Sequence, residues 1–343
     1  MSLTVGLTYD LRKEYVRQPD DPEDAAAEFD HDETVDVIER ALVRRGHRPV
    51  RIGNAHRLLE QLQQLDVDIV FNIAEGLHGR NRESQVPVLL EMMGIPFVGS
   101  DGLTMGLTLD KVMTKRLLIV EGIPTPDFFE VTQAGQLPEP LPLAFPMIVK
   151  PRYEGSSKGL TESSRVHDRT ELERQTARII EQYHQPALVE AFVSGTEFTV
   201  AVVGNDPPEA LPVVQIQIDG QTVLGDRFYY SSRVRGVQAE TLQYLCPSTA
   251  PEALQHRLRE LAVQTYRVVE CCDFGRIDFR VDEQGRPYVL EINPLPALSL
   301  LDVMPRVARH LGMVYEEFIG MIFDHALKRH GMVEAAATSH GVR

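Results

Sequence analysis

Tryptophan is absent from this chain and cysteine nearly so, with three in 343 residues. Cys246, Cys271 and Cys272 have no metal-ligand spacing and are too few for a disulfide framework. They read as reduced, partly buried thiols of a cytoplasmic protein. Positive charge is also scarce: 35 Lys and Arg face 50 Asp and Glu, for a net charge of -15 and a pI of about 5.2. That deficit excludes nucleic acid and anionic membrane as principal partners, because either requires a basic face. It leaves a small polyphosphate open, since a few local cations can hold one. No apolar run reaches the roughly 18 residues of a membrane span, so no transmembrane helix is expected. The opening MSLTVGLTYD is strand-like without a charged leader, so no signal peptide is expected. Apolar residues are plentiful: 43% of the chain is hydrophobic, enough for two or three domains with real cores.

The first hundred residues alternate strand and helix. Strands are predicted over 3–8, 49–52, 67–73 and 95–98, and helices over 32–45 and 83–93. Val35, Ile38 and Leu42 share a face of the first helix and Gly46 is placed to end it. Such βαβ alternation implies a parallel sheet, with ligands gathered at the carboxyl ends of its strands. The acidic segment between Tyr9 and Glu33 reads either as a solvated loop or as a lid or substrate loop. A helix is predicted over 110–120 with Asp110 as its N-cap, and the proline-rich stretch 133–146 reads as a loop. A small α+β region (147–193) and a larger one (197–328) follow, and the last ten residues lack periodicity.

The most informative run is GRIDFRVDEQGRPYVLEINP. It reads as a β-hairpin, with strand composition over 279–281 and 288–292 and turn formers at Asp282, Glu283, Gln284 and Gly285. With the turn centred between Gln284 and Gly285, Asp278 stands opposite Glu291 and Arg276 opposite Asn293. Alternation then puts these four on one face. Ile277, Phe279, Val281, Tyr288, Leu290 and Ile292 fall on the other, the core face. Two carboxylates directly across a ladder repel each other, and a bound cation reverses that sign. Asp278, Glu291 and Asn293 offer oxygen ligands on a rigid support, which suits Mg2+. A merely solvated polar face needs neither the Asn beside the Glu nor the Arg beside the Asp.

Two further segments suggest nucleotide chemistry. Strand-like Met147-Ile148-Val149-Lys150-Pro151 leads into the loop Glu154-Gly155-Ser156-Ser157-Lys158-Gly159, whose N–H groups and hydroxyls suit an anion. No GxxxxGK[ST] motif occurs, and a Gly/Ser loop alone is most often a plain turn. A second lysine, Lys111, and the downstream acidic face give it weight. The strand-like 188–193 precedes Glu197. Its backbone suits an adenine edge and the Glu a ribose, although alone it also reads as an inter-domain linker.

Taken in order, Lys111, IVKPRYEGSSKG, VEAFVSGTEFTV, GRIDF and LEINP resemble the ATP-grasp superfamily, and within it the D-alanine–D-alanine ligase family. LHGR at 77–80, LLEMMGIPFVGSD at 89–101 and TLDKVMTKRLL at 108–118 extend the resemblance over nearly the whole chain. It implies an α/β, ATP-grasp fold with an N-terminal parallel α/β domain (1–105), a central subdomain carrying the Gly/Ser phosphate loop (106–193), a C-terminal subdomain with the metal site (194–330) and a tail (331–343). It implies ATP and two Mg2+ ions, with Mn2+ as a stand-in, and a homodimer formed through the N-terminal domain. Lys111, Lys150 and Ser157 would contact phosphates. Glu190, Phe192, Val193 and Leu290 would lie along the adenine, and Glu197 would bind the ribose. Asp278, Glu291 and Asn293 would hold the metal, Ser156 would face the substrates, and Arg276 would stabilise charge on the acyl oxygen. A lid is expected over 225–236. There the family's Lys-Tyr pair is matched either by Arg227-Phe228 or by Tyr229-Tyr230, the latter making Tyr230 catalytic.

The departures fall on the amino-acid substrates. The family's ammonium-binding glutamate has only Glu14 as a counterpart, ahead of the acidic insertion. His78, in an LHGR loop one residue shorter than usual, would face the substrates with Ala297, Ser299 and Asp302. Ala297 replaces a glycine, and Asp302 falls near a carboxylate-binding hydroxyl, where an aspartate repels a carboxylate and attracts an amine. The expectation is an ATP-dependent, ADP-forming carboxylate–amine ligase whose acceptor is not D-alanine. The alternatives are a true D-alanine–D-alanine ligase of cell-wall synthesis and an ATP-grasp enzyme that modifies a peptide or protein terminus. A nucleotide-binding module without catalysis fits less well, because every metal and phosphate position is filled.

Overall fold

The computed structural model describes residues 2–230 and 242–332. Three sheets follow one another along the chain. The first contains β1 (Thr4–Tyr9), α1 (Asp32–Arg44), β2 (Arg48–Gly53), α2 (Ala55–Gln61), β3 (Ile69–Ile73), α3 (Gln85–Met93) and β4 (Phe97–Val98). Its strands pair in parallel in the order β2-β1-β3-β4. All five residues of β3 are buried, as suits a stretch nearly continuous in apolar residues. Asp32 and Glu33 favour the positive N-terminal end of α1. Gly46, at φ 80°, ends it with His47 N–H donating back to the Leu42 carbonyl (3.0 Å). The predicted helix at 83–93 instead begins with a 3-10 turn, Arg82–Ser84, that hands over to α3 at Gln85.

Two short helices then lead out of this sheet. α4 (Gly102–Leu109) is capped by Asp101, and α5 (Lys111–Val120) by Asp110, whose carboxylate accepts from Met113 N–H (3.2 Å). The second sheet is antiparallel, built from β5 (Phe128–Val131), β6 (Met147–Pro151), β7 (Arg165–Val166) and β8 (Ala187–Ala191) in the order β5-β8-β6-β7. Helix α6 (Arg169–Tyr183) covers it through Leu172 and Ile179.

The third sheet holds β9 (Gly195–Val203), β10 (Glu209–Ala210), β11 (Val214–Ile218), β12 (Leu242–Leu245), β13 (Phe274–Asp282) and β14 (Pro287–Asn293). The order is β12-β11-β9-β13-β14, with β10 paired to β9. Helix α7 (Glu252–Val268) packs Leu258, Leu261 and Tyr266 against Phe198, Val200, Ile277 and Phe279. The chain then returns to its beginning. After α8 (Val303–His310), α9 (Tyr315–Arg329) seats Phe318, Ile319, Ile322 and Phe323 in the same core as Leu7, Ile38 and Leu42. Arg45 closes that contact with a two-pronged ion pair to Asp324 (2.7–3.1 Å). No helix among the described residues is long and apolar enough to cross a membrane.

The predicted hairpin forms, with one correction. Arg276 pairs with Asn293 and Asp278 with Glu291, as the numbering required, but a bulge follows Asp278, so that Phe279 pairs with Val289 and Val281 with Pro287. Leu290 is the extra residue. The bulge reverses the facing of the residues beyond it: Val289 is fully buried in the core, while Tyr288 and Leu290, expected there, are only half-buried. Leu290 and Glu291 thereby both reach the cleft described next.

Candidate active site

A cleft open to solvent at its mouth is lined by residues of the second and third sheets, of α5 and of the first sheet's loops. Period-2 alternation puts Arg276, Asp278 and Arg280 of β13 on one face. In β9 their neighbours are Ala201, Thr199 and Glu197, and in β14 Asn293 and Glu291 stand beside the first two. The polar row is fully knitted. Arg276 donates two hydrogen bonds to Asp278 (2.9 and 3.0 Å), and Thr199 Oγ1 (2.6 Å) and Asn293 Nδ2 (3.1 Å) also donate to that carboxylate. Arg280 Nη1 lies 3.1 Å from Glu197, and Arg280 Nε donates to the Val193 carbonyl (3.0 Å). Its guanidinium stacks over the Phe192 ring at 5.2 Å.

Lys111 opens α5 and points across the cleft. Its Nζ lies 3.0 Å from Glu291 Oε2 and donates to the Glu154 carbonyl (2.5 Å). Burial pushes the Glu291 carboxyl up, but Lys111, Lys150 and Arg276 outweigh it and bring it down to about 2. Burial opposes the charge on Lys111 as well, yet Glu291 raises it above the ordinary lysine value. Glu190 of β8 is 1% exposed and held between two lysines, Lys150 Nζ at 2.7 Å and Lys115 Nζ at 2.8 Å. Lys115 also donates to Thr125 Oγ1 (2.5 Å), and burial, only partly offset by Glu190, lowers it to about 8.

The Gly/Ser loop turns through two left-handed residues, Ser156 (φ 48°) and Ser157 (φ 58°), a backbone shape that collects N–H groups in a concavity. The acidic insertion approaches it from the first sheet's side. Glu28 accepts from Gly155 N–H (2.7 Å) and Asp24 from Gly159 N–H (2.7 Å), and Tyr183 OH donates to Asp24 (2.8 Å). A Cβ on Gly155 would sit 2.9 Å from Glu28 Oε1, so glycine permits the approach. From Asp24 to Glu28 the insertion is a docked strap, and for that part the solvated-loop reading is corrected: Glu28 and Asp24 accept from N–H groups of a loop some 130 residues away, while residues 16–20 stay exposed.

The family model described as D-ala D-ala ligase C-terminus matches residues 117–324. A D-alanine–D-alanine ligase of Bordetella petrii is 33% identical over 85% of this chain and 86% of that one. The chain belongs to the D-alanine–D-alanine ligase family. It is an ATP-dependent carbon–nitrogen ligase of that family. An uncharacterized protein of Sinorhizobium fredii, y4sG, is 37% identical over 76% of this chain and 75% of that one. In fold, the chain is similar to the D-alanine–D-alanine ligase of Bacillus anthracis complexed with ATP, with a TM-score of 0.74 at 22% identity, over 96% of this chain and 99% of the other. The fold is ATP-grasp, as the resemblance implied.

Of the positions carried over from the D-alanine–D-alanine ligase family, most converge. Lys111, Lys150, Ser156, Ser157, Glu190, Phe192, Val193, Glu197, Arg276, Asp278, Leu290, Glu291, Asn293, Ala297 and Asp302 all line the cleft. Glu190 is committed to its lysines rather than open along its length. Asp302 caps α8 by accepting from Val303 N–H (2.6 Å), and its Oδ1 lies 3.7 Å from Arg276 Nη1.

Four expected residues do not line it. Glu14 ends a 3-10 turn beside the Leu11–Asp30 bridge and is exposed. His78 is exposed, and its carbonyl accepts from Gln85 Nε2 (2.9 Å). Ser299 turns its Oγ to Leu301 N–H (3.3 Å). Tyr230 packs behind Phe228, with ring centroids 5.5 Å apart, while its neighbour Tyr229 reaches the cleft and pairs its hydroxyl with Tyr244 (2.8 Å). The lid segment beyond Tyr230, to 236, and nearly all of the tail lie outside the described residues. Sequence reasoning also missed Lys115, Lys158, Arg280, Glu28, Glu75 and Glu83. For Lys115 a signal existed: it lies one helical turn after Lys111 on a helix otherwise apolar on that face.

Proposed function

We propose that this cleft joins a carboxylate to an amine through an acyl phosphate, with ATP as phosphoryl donor, and that its acceptor is not D-alanine. The observation that carries the reading is the opposed pair Asp278 and Glu291. They share one cleft with Arg276, Lys111 and Lys150 and with the left-handed Gly/Ser loop. Asp278 and Glu291, with the Asn293 amide beside them, are hard oxygen donors on a rigid ladder, balanced by Arg276 and Lys111. Such a donor set fits Mg2+, with two ions implied. When bound, the metal lowers the repulsion between phosphate and carboxylate oxygens.

The chain's own groups do the rest. Lys150 and Lys111 attract the phosphates, and the N–H groups around Ser156 and Ser157 meet their oxygens. Phe192, Val193 and Leu290 give the nucleotide base an apolar wall, and Glu197, fixed by Arg280, offers an acceptor to the ribose. Arg276 has its fork anchored on Asp278, and its remaining donor faces the cleft to stabilise the oxyanion when the amine attacks the acyl carbon. Asp302 beside it favours an amine and disfavours a carboxylate. That placement, with Glu14 and His78 turned to solvent, supports an altered acceptor. The exposed apolar side chains Met92 of α3 and Leu103 of α4 support a homodimer through the first domain.

A second reading, ordinary D-alanyl-D-alanine synthesis, is favoured by the names of the relatives. The deciding experiment is Mg2+-dependent ADP and phosphate release from ATP, screened over D- and L-amino acids and simple amines, singly and in pairs, with product mass. Release with another pair and not with D-alanine is expected. Robust release with D-alanine alone, yielding the dipeptide mass, would overturn the altered acceptor.

A further inference from the structure

At the first-sheet end of the cleft, three carboxylates come together. Glu28 arrives on the acidic strap, Glu75 on the loop after β3 and Glu83 on the turn before α3. Their nearest oxygens all lie within 4.8 Å of one another. Glu28 is fully engaged, with Arg82 (2.8 Å), Lys158 (3.2 Å) and Gly155 N–H (2.7 Å). Glu154 takes the rest of the local positive charge, from Lys158 (2.5 Å) and Arg82 (3.3 Å), and Lys111 is paired with Glu291. Glu75 and Glu83 have neither an ion pair nor a side-chain hydrogen bond among the described residues. Glu83 is 7% exposed, and both face the cleft.

We propose that Glu75 and Glu83, beside Glu28, form the seat for the cationic end of a ligase substrate, and that a diamino acid with two ammonium groups fills it better than an amino acid with a neutral side chain. The inference rests on reading the cleft as a ligase's. Two unbalanced carboxylates match two positive charges, and among the described residues no other cation remains in that corner to balance them. A divalent metal fits less well. The oxygens of Glu28 are already spent, the Arg82 guanidinium stands beside them, and two free carboxylates fall well short of a hard cation's usual ligand count. An ammonium needs only two or three acceptors. The corner's electrostatics register the missing cation: burial first, then Glu83 and Glu28, raise Glu75 well above the ordinary range, and burial raises Glu83 to about 7 against the pull of Arg82, so that the corner keeps protons where an ammonium would stand.

The test is calorimetric titration of the full chain, loaded with ADP and Mg2+, with both enantiomers of alanine and of 2,4-diaminobutyrate. Separate titrations use Ca2+ or Mn2+ alone. Diaminobutyrate should bind about tenfold or more tightly than alanine of the same hand, the worth of one charged hydrogen-bonded pair. Glu75→Gln and Glu83→Gln should each erase most of that preference, with ADP binding in the same samples reporting that the variants are folded. Equal affinity for the two amino acids, a preference intact in both variants, or a metal-binding isotherm lost in Glu83→Gln would overturn the seat. The two readings fail separately. A diaminobutyrate preference with no ADP release from any amino-acid pair would sink the ligase and spare the seat. Turnover with neutral amino acids and no preference would do the reverse.

Discussion

Replacing Lys115 with methionine isolates one buried charge. Lys115 is 1% exposed, and burial lowers it from 10.5 to about 8 despite Glu190 at 2.8 Å. Between those two values the unfolded chain holds a proton that the folded chain has released, so stability rises with pH across that window. At 1.36 kcal/mol per unit, the shift is worth about 3 kcal/mol. Lys111 and Lys158, which are raised, and Tyr15, raised to about 12, act with the opposite sign: their stabilisation is lost as pH climbs through their folded values. Those contributions are common to wild type and variant. The measured quantity is therefore the difference between the two urea-unfolding curves taken from pH 7.5 to 10.5. Wild type should gain on Lys115→Met by about 3 kcal/mol across that range. Parallel curves would refute a depressed Lys115 and with it the reading that its burial outweighs the pull of Glu190.

Three further outcomes follow from the site. Asp278→Asn and Glu291→Gln should each abolish Mg2+-dependent ATP turnover while circular dichroism and melting show a folded protein; unchanged turnover in both would dismiss the proposed metal face. Arg276→Ala should slow ligation by about 10²–10³-fold, the usual loss on deleting an oxyanion donor, while ADP affinity moves only a few-fold. An equal loss of nucleotide affinity would count against that role. Glu83 carries its raised carboxyl into the fold, so it stabilises fully below about 4.5 and loses that contribution as pH rises to about 7. Unfolding of Glu83→Gln in the absence of ligand should accordingly lose this slope between pH 5 and 7, and an unaltered slope would show that Glu83 ionises normally.

Much of this was legible from residue order. The pairing of Asp278 with Glu291 and of Arg276 with Asn293 followed from turn chemistry and strand alternation, both local rules. The bulge at Leu290 did not, because nothing local marks which residue of an apolar strand is supernumerary; it lies in β14 alone, while the ladder between β13 and β9 runs on without a shift. Asp110 announced itself as a cap because capping is decided within one helical turn. Glu28 and Asp24 were unreadable for the opposite reason, since their partners lie on the Gly/Ser loop and proximity in the fold, not in the chain, assigns them. Glu14 shows how far resemblance reaches. A family position was carried over into a segment where the insertion changes the path, and the backbone turns that side chain outward. Tyr229 and Tyr230 differ by one step, and packing against Phe228 decided which of them faces inward.

The return of α9 to the first domain has a consequence for biosynthesis. Leu7, Ile38 and Leu42 emerge from the ribosome early, but Phe318, Ile319 and Phe323, which complete their core, come near the end of translation. At about 5–20 residues per second, Phe318 trails Leu42 by roughly 15–55 s, and throughout that interval the nascent first domain carries an apolar face with nothing to cover it. A chain interrupted before α9 is therefore an aggregation hazard although its nucleotide cleft is already encoded, and removal of α9 should harm solubility sooner than it harms the catalytic groups.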